Sequence, residues 1–327
     1  MRAAVLVATL AALAAPALAA PVGDEPDSAQ VTGSAVTPPP SATPCPLQQV
    51  ASLDIVTEPD GSFAVPMTIE NKPGLMLVDT GSIYSVISES EARARDMSIR
   101  VGLPVMHYLG GVPIYKSAKA DTIQLGAMTG HDLTMMVVPG AAELQHNVIG
   151  MVGPDILQNY DVELDFAAGK MNLFDVKHCP GQVVYWTHTP YAAVPIRMDN
   201  GGHMFVDVQV NGKTISAGVD TGADRSTMPL RVAKELFGID AHSPGMKPLG
   251  DIRVNGTQPA PLYRYPFDTL TLEGVTVRQP VIDILDGDRF EVGGGNQMLL
   301  GIKTLRQLHI YISYNEKVLY LTPAEAR

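Results

Sequence analysis

The sequence predicts an all-β protein with a few short helices, built as two homologous lobes. Three observations predict it. The tripeptide Asp-Thr-Gly occurs twice, in Leu77-Val78-Asp79-Thr80-Gly81-Ser82 and in Gly218-Val219-Asp220-Thr221-Gly222-Ala223, where chance would supply roughly 0.1 copies in a chain this long. A shift of 141 positions aligns Gly61–Asp79 with Gly202–Asp220 without a gap, placing Met67 on Val208, Ile69 on Val210 and Lys72 on Lys213. The rest of the chain is rich in short apolar runs separated by turn residues, the pattern of strands in a β architecture. A repeat of well over a hundred residues is too long for a solenoid unit, so each copy reads as a lobe.

Composition sets the limits. The chain has 327 residues, 46% hydrophobic and 17% charged, with a formal charge of −11. That is enough chain for two modest cores, and the acidic balance argues against nucleic acid or an anionic membrane as partner. Residues 1–19 read as a secretory signal: Arg2 is the only charge, Ala3–Leu13 is apolar, and Ala17-Leu18-Ala19 supplies small residues before a cut. The apolar run is too short for a membrane anchor, so the protein is expected to be exported, to periplasm or medium, without an anchor. In an oxidising compartment the two cysteines, Cys45 and Cys179, read as a disulfide rather than a metal pair or a nucleophile. Residues 20–48, with Pro38-Pro39-Pro40 at their centre, have a composition that buries little apolar surface and are expected to be a disordered leader.

Lobe one is expected over residues 49–177. Pro59-Asp60-Gly61 turns into the alternating strand Phe63–Ile69, Glu70–Gly74 form a turn, and Leu75–Val78 is a continuously apolar, buried strand. After the Asp-Thr-Gly turn, Ser88 with Glu91 forms a capping box for a helix over Glu89–Asp96. A Gly/Pro-containing stretch, Gly102–Val112, leads to paired strands Thr122–Leu125 and Leu133–Val138. Met151-Val152-Gly153 precedes a short helix, and Val162–Phe166 with Lys170–Phe174 closes the lobe as a hairpin. Residues 178–190 are the link.

Lobe two, over residues 191–327, repeats the plan. Pro229 opens a helix that ends at Phe237 before Gly238, nine positions after Asp220, as Ser88 stands nine after Asp79. Strands Thr269–Leu272 and Thr276–Ile284, the step Leu299-Leu300-Gly301 and a hairpin of Ile310–Tyr314 with Lys317–Leu321 follow.

With both Asp-Thr-Gly turns and the steps ending at Gly153 and Gly301 in place, the chain resembles the aspartic proteases, specifically the retropepsin-like bacterial proteins with two lobes in one polypeptide. The resemblance covers nearly everything after Val50. It implies two acid-protease-like β lobes with a cleft between them, whose aspartates, Asp79 and Asp220, face one water as the catalytic pair of a peptide hydrolase. Thr80 and Thr221 would brace the two loops, Gly81 and Gly222 would permit the tight turns, and Ser82 would donate to the Asp79 carboxylate and favour its charge. The partner implied is a peptide or protein substrate; no cofactor and no metal are called for, and both halves of the site lie in one chain, so a monomer is expected. A binder that keeps the cleft without cutting is the rival reading.

The sequence departs from the family pattern in three places. Ser82 matches the cellular motif while Ala223 matches the retroviral one. No pepsin-like tyrosine flap is evident, and the candidate flaps are His107–Pro113, with Gly110 and Gly111, and Leu249–Pro259. Asp224-Arg225 directly follows the second motif and places an ion pair near it. Asp283, Asp286, Asp288 and Glu291 lack the spacing of a calcium loop and read as a solvated loop. No H-E-x-x-H or G-x-S-x-G occurs.

Overall fold

The computed structural model describes residues 30–31, 47–59, 61–102, 107–109, 112–138, 148–252, 259–287 and 297–324. The expected signal segment, Cys45, Gly110 and Gly111 lie outside the described residues.

In each copy of the repeat the first two strands form a hairpin. Phe63–Ile69 pairs with Lys72–Val78, and Met204–Val210 pairs with Lys213–Val219. The turns are two residues long, Glu70-Asn71 and Asn211-Gly212, and all four residues have positive φ, from 45° to 76°. That geometry matches the twist of the flanking strands. The first turn is tighter than the Glu70–Gly74 segment expected, because Lys72, Pro73 and Gly74 already belong to the strand. Pro73 is accommodated because the second neighbouring strand, Val148–Val152, joins only from Leu75 onward.

The lobe-one sheet has eight strands. Strand Lys116–Leu125 pairs with Met128–Val138 on one side, and through Ile123 and Gln124 it also meets Phe63–Ile69, which curls the sheet towards a barrel. The lobe-two sheet has eleven strands. The single strand expected over Thr276–Ile284 is two, Val275–Arg278 and Val281–Leu285. They part at Gln279-Pro280, where Gln279 has φ 49° and proline supplies no ladder donor. Gln30–Val31, inside the leader, pairs with Thr276 and Val275 at the edge of this sheet, although nothing in the leader's composition foretells a strand.

Among the described residues four short helices sit on this frame: α1 (Glu89–Ala94), α2 (Pro154–Leu157), α3 (Leu230–Phe237) and α4 (Ile302–Leu305). The Ser88 hydroxyl caps α1 by accepting from the Glu91 N–H at 3.3 Å. The reciprocal half of the box is not made, since the Glu91 carboxylate pairs with Arg95, and the helix stops two residues before Asp96. Pro229 is the N-cap of α3, and Gly238 ends it in the left-handed region at φ 70°. Lys72 Nζ donates to the Ala94 carbonyl and Lys213 Nζ to the Leu236 carbonyl, so the two matched lysines each cap a matched helix C-terminus.

The two closing hairpins do not close their own lobes. Asp161–Asp165 pairs with Leu308–Ser313, joining both hairpins into one six-stranded sheet. Its order is Ala192–Pro195, Val318–Pro323, Leu308–Ser313, Asp161–Asp165, Lys170–Phe174, Gln49–Asp54. One face of this shared sheet, with Val162, Leu164, Met171, Leu173, Ile310, Ile312, Leu319 and Leu321, belongs to the main core. The other face carries Phe174, Tyr311 and Tyr320 beneath linker residues Val183, Val184 and Trp186 and beside Tyr191. Among the described residues no helix is long and apolar enough to cross a membrane.

Candidate active site

Each Asp-Thr-Gly turn leaves the end of a buried central strand. The apolar-apolar-Gly step supplies the strand that runs parallel beside it: Val152 is opposite Val78, and Leu300 is opposite Val219. The carbonyls at the ends of those neighbours hold the aspartates, accepting from Asp79 N–H (Val152, 3.0 Å) and Asp220 N–H (Leu300, 3.0 Å). The buried ends of the two strands therefore aim both acids at one place.

The loops then lock across the lobe interface. Thr80 Oγ1–H donates to the Val219 carbonyl at 2.9 Å and accepts from Thr221 N–H at 3.1 Å. Thr221 Oγ1–H donates to the Val78 carbonyl at 2.7 Å and accepts from Thr80 N–H at 3.0 Å. All four bonds are buried, which makes them costly to break singly.

The carboxyls are arranged alike. Asp79 Oδ1 accepts from Gly81 N–H (2.9 Å) and Ser82 N–H (3.1 Å), and Asp220 Oδ1 accepts from Gly222 N–H (2.9 Å) and Ala223 N–H (3.1 Å). Each glycine faces the other lobe's acid. A Cβ at Gly81 would lie 2.3 Å from Asp220 Cγ, and one at Gly222 would lie 2.5 Å from Asp79 Cγ. The two carboxyls are within reach of one another. Asp79 Oδ2 is buried and takes no regular hydrogen bond from a described protein group.

Burial comes first among the influences on both acids. It raises Asp79 well above the ordinary carboxylate value, and the neighbouring Asp220 raises it further against the pull of the Gly81 and Ser82 amides. Burial pushes Asp220 up to about 6, with the Gly222 and Ala223 amides opposing. The pair titrates as a unit, holding one proton between two raised acids. The expectation that Ser82 favours the charge on Asp79 loses its basis. The Ser82 hydroxyl donates to the backbone carbonyls of Asp79 and Tyr84 at 3.3 Å each, not to the carboxylate, whose Oδ1 is already taken by two amides. Ser82 supports the pair through its N–H, as Ala223 does.

Four further residues brace the loops. Ser85 and Ser226 are related by the same shift of 141. Ser85 Oγ accepts from Gly153 N–H (3.0 Å) and donates to Asp155 Oδ1 (2.7 Å). Ser226 Oγ accepts from Gly301 N–H (3.1 Å) and bonds Thr304 Oγ1 (2.7 Å). The repeat offset was the available signal for both serines.

The remaining sequence candidates are dispersed. Gly110 and Gly111 lie outside the described residues; the flanking strands His107–Leu109 and Val112–Ile114 pair antiparallel, with Leu109 opposite Val112. Asp224 pairs with Lys303 on α4 at 3.1 Å and more loosely with Arg225 at 3.8 Å. Asp283 is not on a solvated loop: it is buried in strand Val281–Leu285 and paired with Arg264 at 2.8 Å. Cys179 lies in the link beside His178, while Cys45 is outside the described residues. Among the described residues no group of three or more His, Cys, Asp and Glu side chains is placed to hold a metal ion.

The family model described as aspartyl protease matches residues 65–152 and 206–304, more than half of the chain and one match per lobe. Among solved structures, basic 7S globulin from soybean superposes with a TM-score of 0.50 at 10% identity, over 85% of this chain and 96% of that one. Conglutin gamma, a basic 7S globulin from lupine seeds, gives 0.49 at 11% identity, over 85% and 95%. At such identities the soybean likeness is one of fold alone. No curated protein sequence matches the chain.

Proposed function

The chain belongs to the aspartyl protease family, and we propose that it is an exported endopeptidase that hydrolyses peptide bonds with a water activated by Asp79 and Asp220. One observation carries this reading: two buried carboxyls face each other, each held by two amides and each against the opposite loop's glycine. Such a pair holds one proton rather than ionising twice. The ionised member of the pair takes a proton from water as the water oxygen bonds to the peptide carbonyl carbon. The protonated member gives its proton to the carbonyl oxygen, and a neutral tetrahedral diol results. In the second half the first acid returns its proton to the amide nitrogen, the C–N bond breaks, and its partner recovers a proton from one hydroxyl. Both acids end as they began.

The test is cleavage of an unfolded protein at weakly acid pH by wild type and by Asp79→Asn, with peptide binding measured alongside. Hydrolysis by wild type that disappears in the variant is expected. Saturable binding without cleavage by wild type would instead identify a peptide binder using the same cleft.

Export, a monomeric state and a Cys45–Cys179 bridge complete the reading. The signal-like residues 1–19 support export, and the presence of both aspartates in one chain supports a monomer. No described cysteine is free; the unreduced protein should therefore weigh two hydrogens less than the reduced one and take up no thiol label.

A further inference from the structure

The braces beneath the two catalytic loops are chemically unequal. In lobe two the brace is neutral, Ser226 against Thr304. In lobe one a carboxylate takes that place. Asp155 Oδ1 accepts from Ser85 N–H at 2.8 Å, from Ser85 Oγ–H at 2.7 Å and from Ile156 N–H at 3.1 Å. Ser85 Oγ in turn holds the Gly153 amide. Gly153 lies directly under the catalytic loop, where a Cβ would stand 2.6 Å from Ser82 Oγ and 3.0 Å from the carbonyl carbon of Tyr84. The path from Asp155 to the Asp79 loop is thus Asp155, Ser85, Gly153, Ser82, each in direct contact with the next.

We infer that Asp155 is a positioning residue for the reaction, its ionised carboxylate fixing Ser85 and Gly153 and through them the lobe-one catalytic loop; this rests on the hydrolytic reading above. Hydrogen bonds to a charged acceptor are roughly twice as strong as neutral ones, so the lobe-one loop is held by a bond whose strength titrates and the lobe-two loop by one that does not. Asp155 is largely buried, and that burial raises it above the ordinary carboxylate value. No described basic side chain forms an ion pair with it. The titratable groups on the loop it braces are Asp79 and Tyr84. Across the interface are Asp199 and His203, paired at 2.8 Å on the loop whose Gly202 meets Pro154 of α2.

Three variants test this: Asp155→Ala, Asp155→Asn and Thr304→Val. In Asp155→Ala kcat should fall by about 10- to 100-fold with KM changed by less than about threefold, since loop misplacement of this kind costs up to about a hundredfold. Asparagine still offers an oxygen to both Ser85 donors, so Asp155→Asn should recover most of the loss. The ratio of wild-type to Asp155→Asn kcat should shrink towards one as acid protonates Asp155, while the ratio of wild type to Thr304→Val stays flat with pH. A flat ratio for Asp155→Asn, or full kcat in Asp155→Ala, overturns the proposal. Amide exchange of Gly81 and Ser82 gives a readout that needs no turnover, and it should quicken by at least about tenfold in folded Asp155→Ala. If wild type cleaves nothing but exchange quickens, the hydrolytic reading fails and the positioning role stands; unchanged exchange removes the positioning role.

Discussion

At Gly81 an added methyl group would stand 2.3 Å from Cγ of the opposing aspartate, closer than side-chain carbons ever approach. Gly81→Ala should therefore part the two carboxyls and lower kcat at least about a hundredfold, read from steady-state cleavage with the fold checked by circular dichroism. Ser82→Ala is the contrasting case. Because the hydroxyl meets only backbone carbonyls, its removal should leave the acidic limb of kcat/KM within about 0.3 pH unit of wild type. A hydrogen bond from that hydroxyl to the carboxylate, of about 1.5–3 kcal/mol, would instead have moved the limb by roughly one unit. At this scale the acids, threonines and glycines were legible because the tripeptide occurs twice in matched surroundings. The direction in which the Ser82 hydroxyl turns was not, since it depends on which acceptors the folded loop leaves open.

At the scale of the element, the grip between Thr80 and Thr221 joins two strand ends that lie 141 residues apart. Thr80→Val keeps the shape but strands the Thr221 amide and the Val219 carbonyl in a dry interface. The expected loss is about 2–4 kcal/mol in denaturant unfolding, with Thr80→Ser largely spared. Hairpins, caps and the two apolar-apolar-Gly steps follow from local pattern and were readable as such. The break at Gln279-Pro280 was also written in the chain, as a proline inside the segment expected to be one strand. What local pattern could not reveal is the pairing of Asp161–Asp165 with Leu308–Ser313, because each hairpin alone satisfies the rules for closing its own lobe. Nor could it reveal the network under the link. There Asp161 bonds His178 at 2.5 Å and Tyr311 at 3.1 Å, and Glu163 bonds His309 at 2.9 Å and Tyr185 at 2.7 Å. The acids and their partners come from three separate parts of the chain.

For the whole molecule, the buried carboxyls act together. Burial raises Asp79, Asp155, Asp161, Asp220 and Asp283 above the ordinary value. A group raised in the folded state binds its proton more tightly there than in the unfolded chain. Its contribution is complete below the unfolded value near 4 and is lost as pH rises through the folded value, which for Asp220 is about 6. The lowered acids, Glu89, Asp132, Asp199 and Asp240, work the other way, but they are exposed or only lightly buried and are screened by water. Stability should thus rise on acidification from pH 7 to pH 5, by roughly 5 °C in Tm; a Tm that falls over that interval would contradict it. The central claim is that this fold presents a proton-sharing pair to a water that cuts peptides. Its most direct measurement is cleavage of a defined peptide in ¹⁸O-labelled water by wild type, Asp79→Asn and Asp220→Asn. The account predicts one ¹⁸O in each new carboxyl group for wild type, and no cleavage by either variant although both still fold. Labelled product at near wild-type rates from either variant, or intact peptide after binding to wild type, would contradict it.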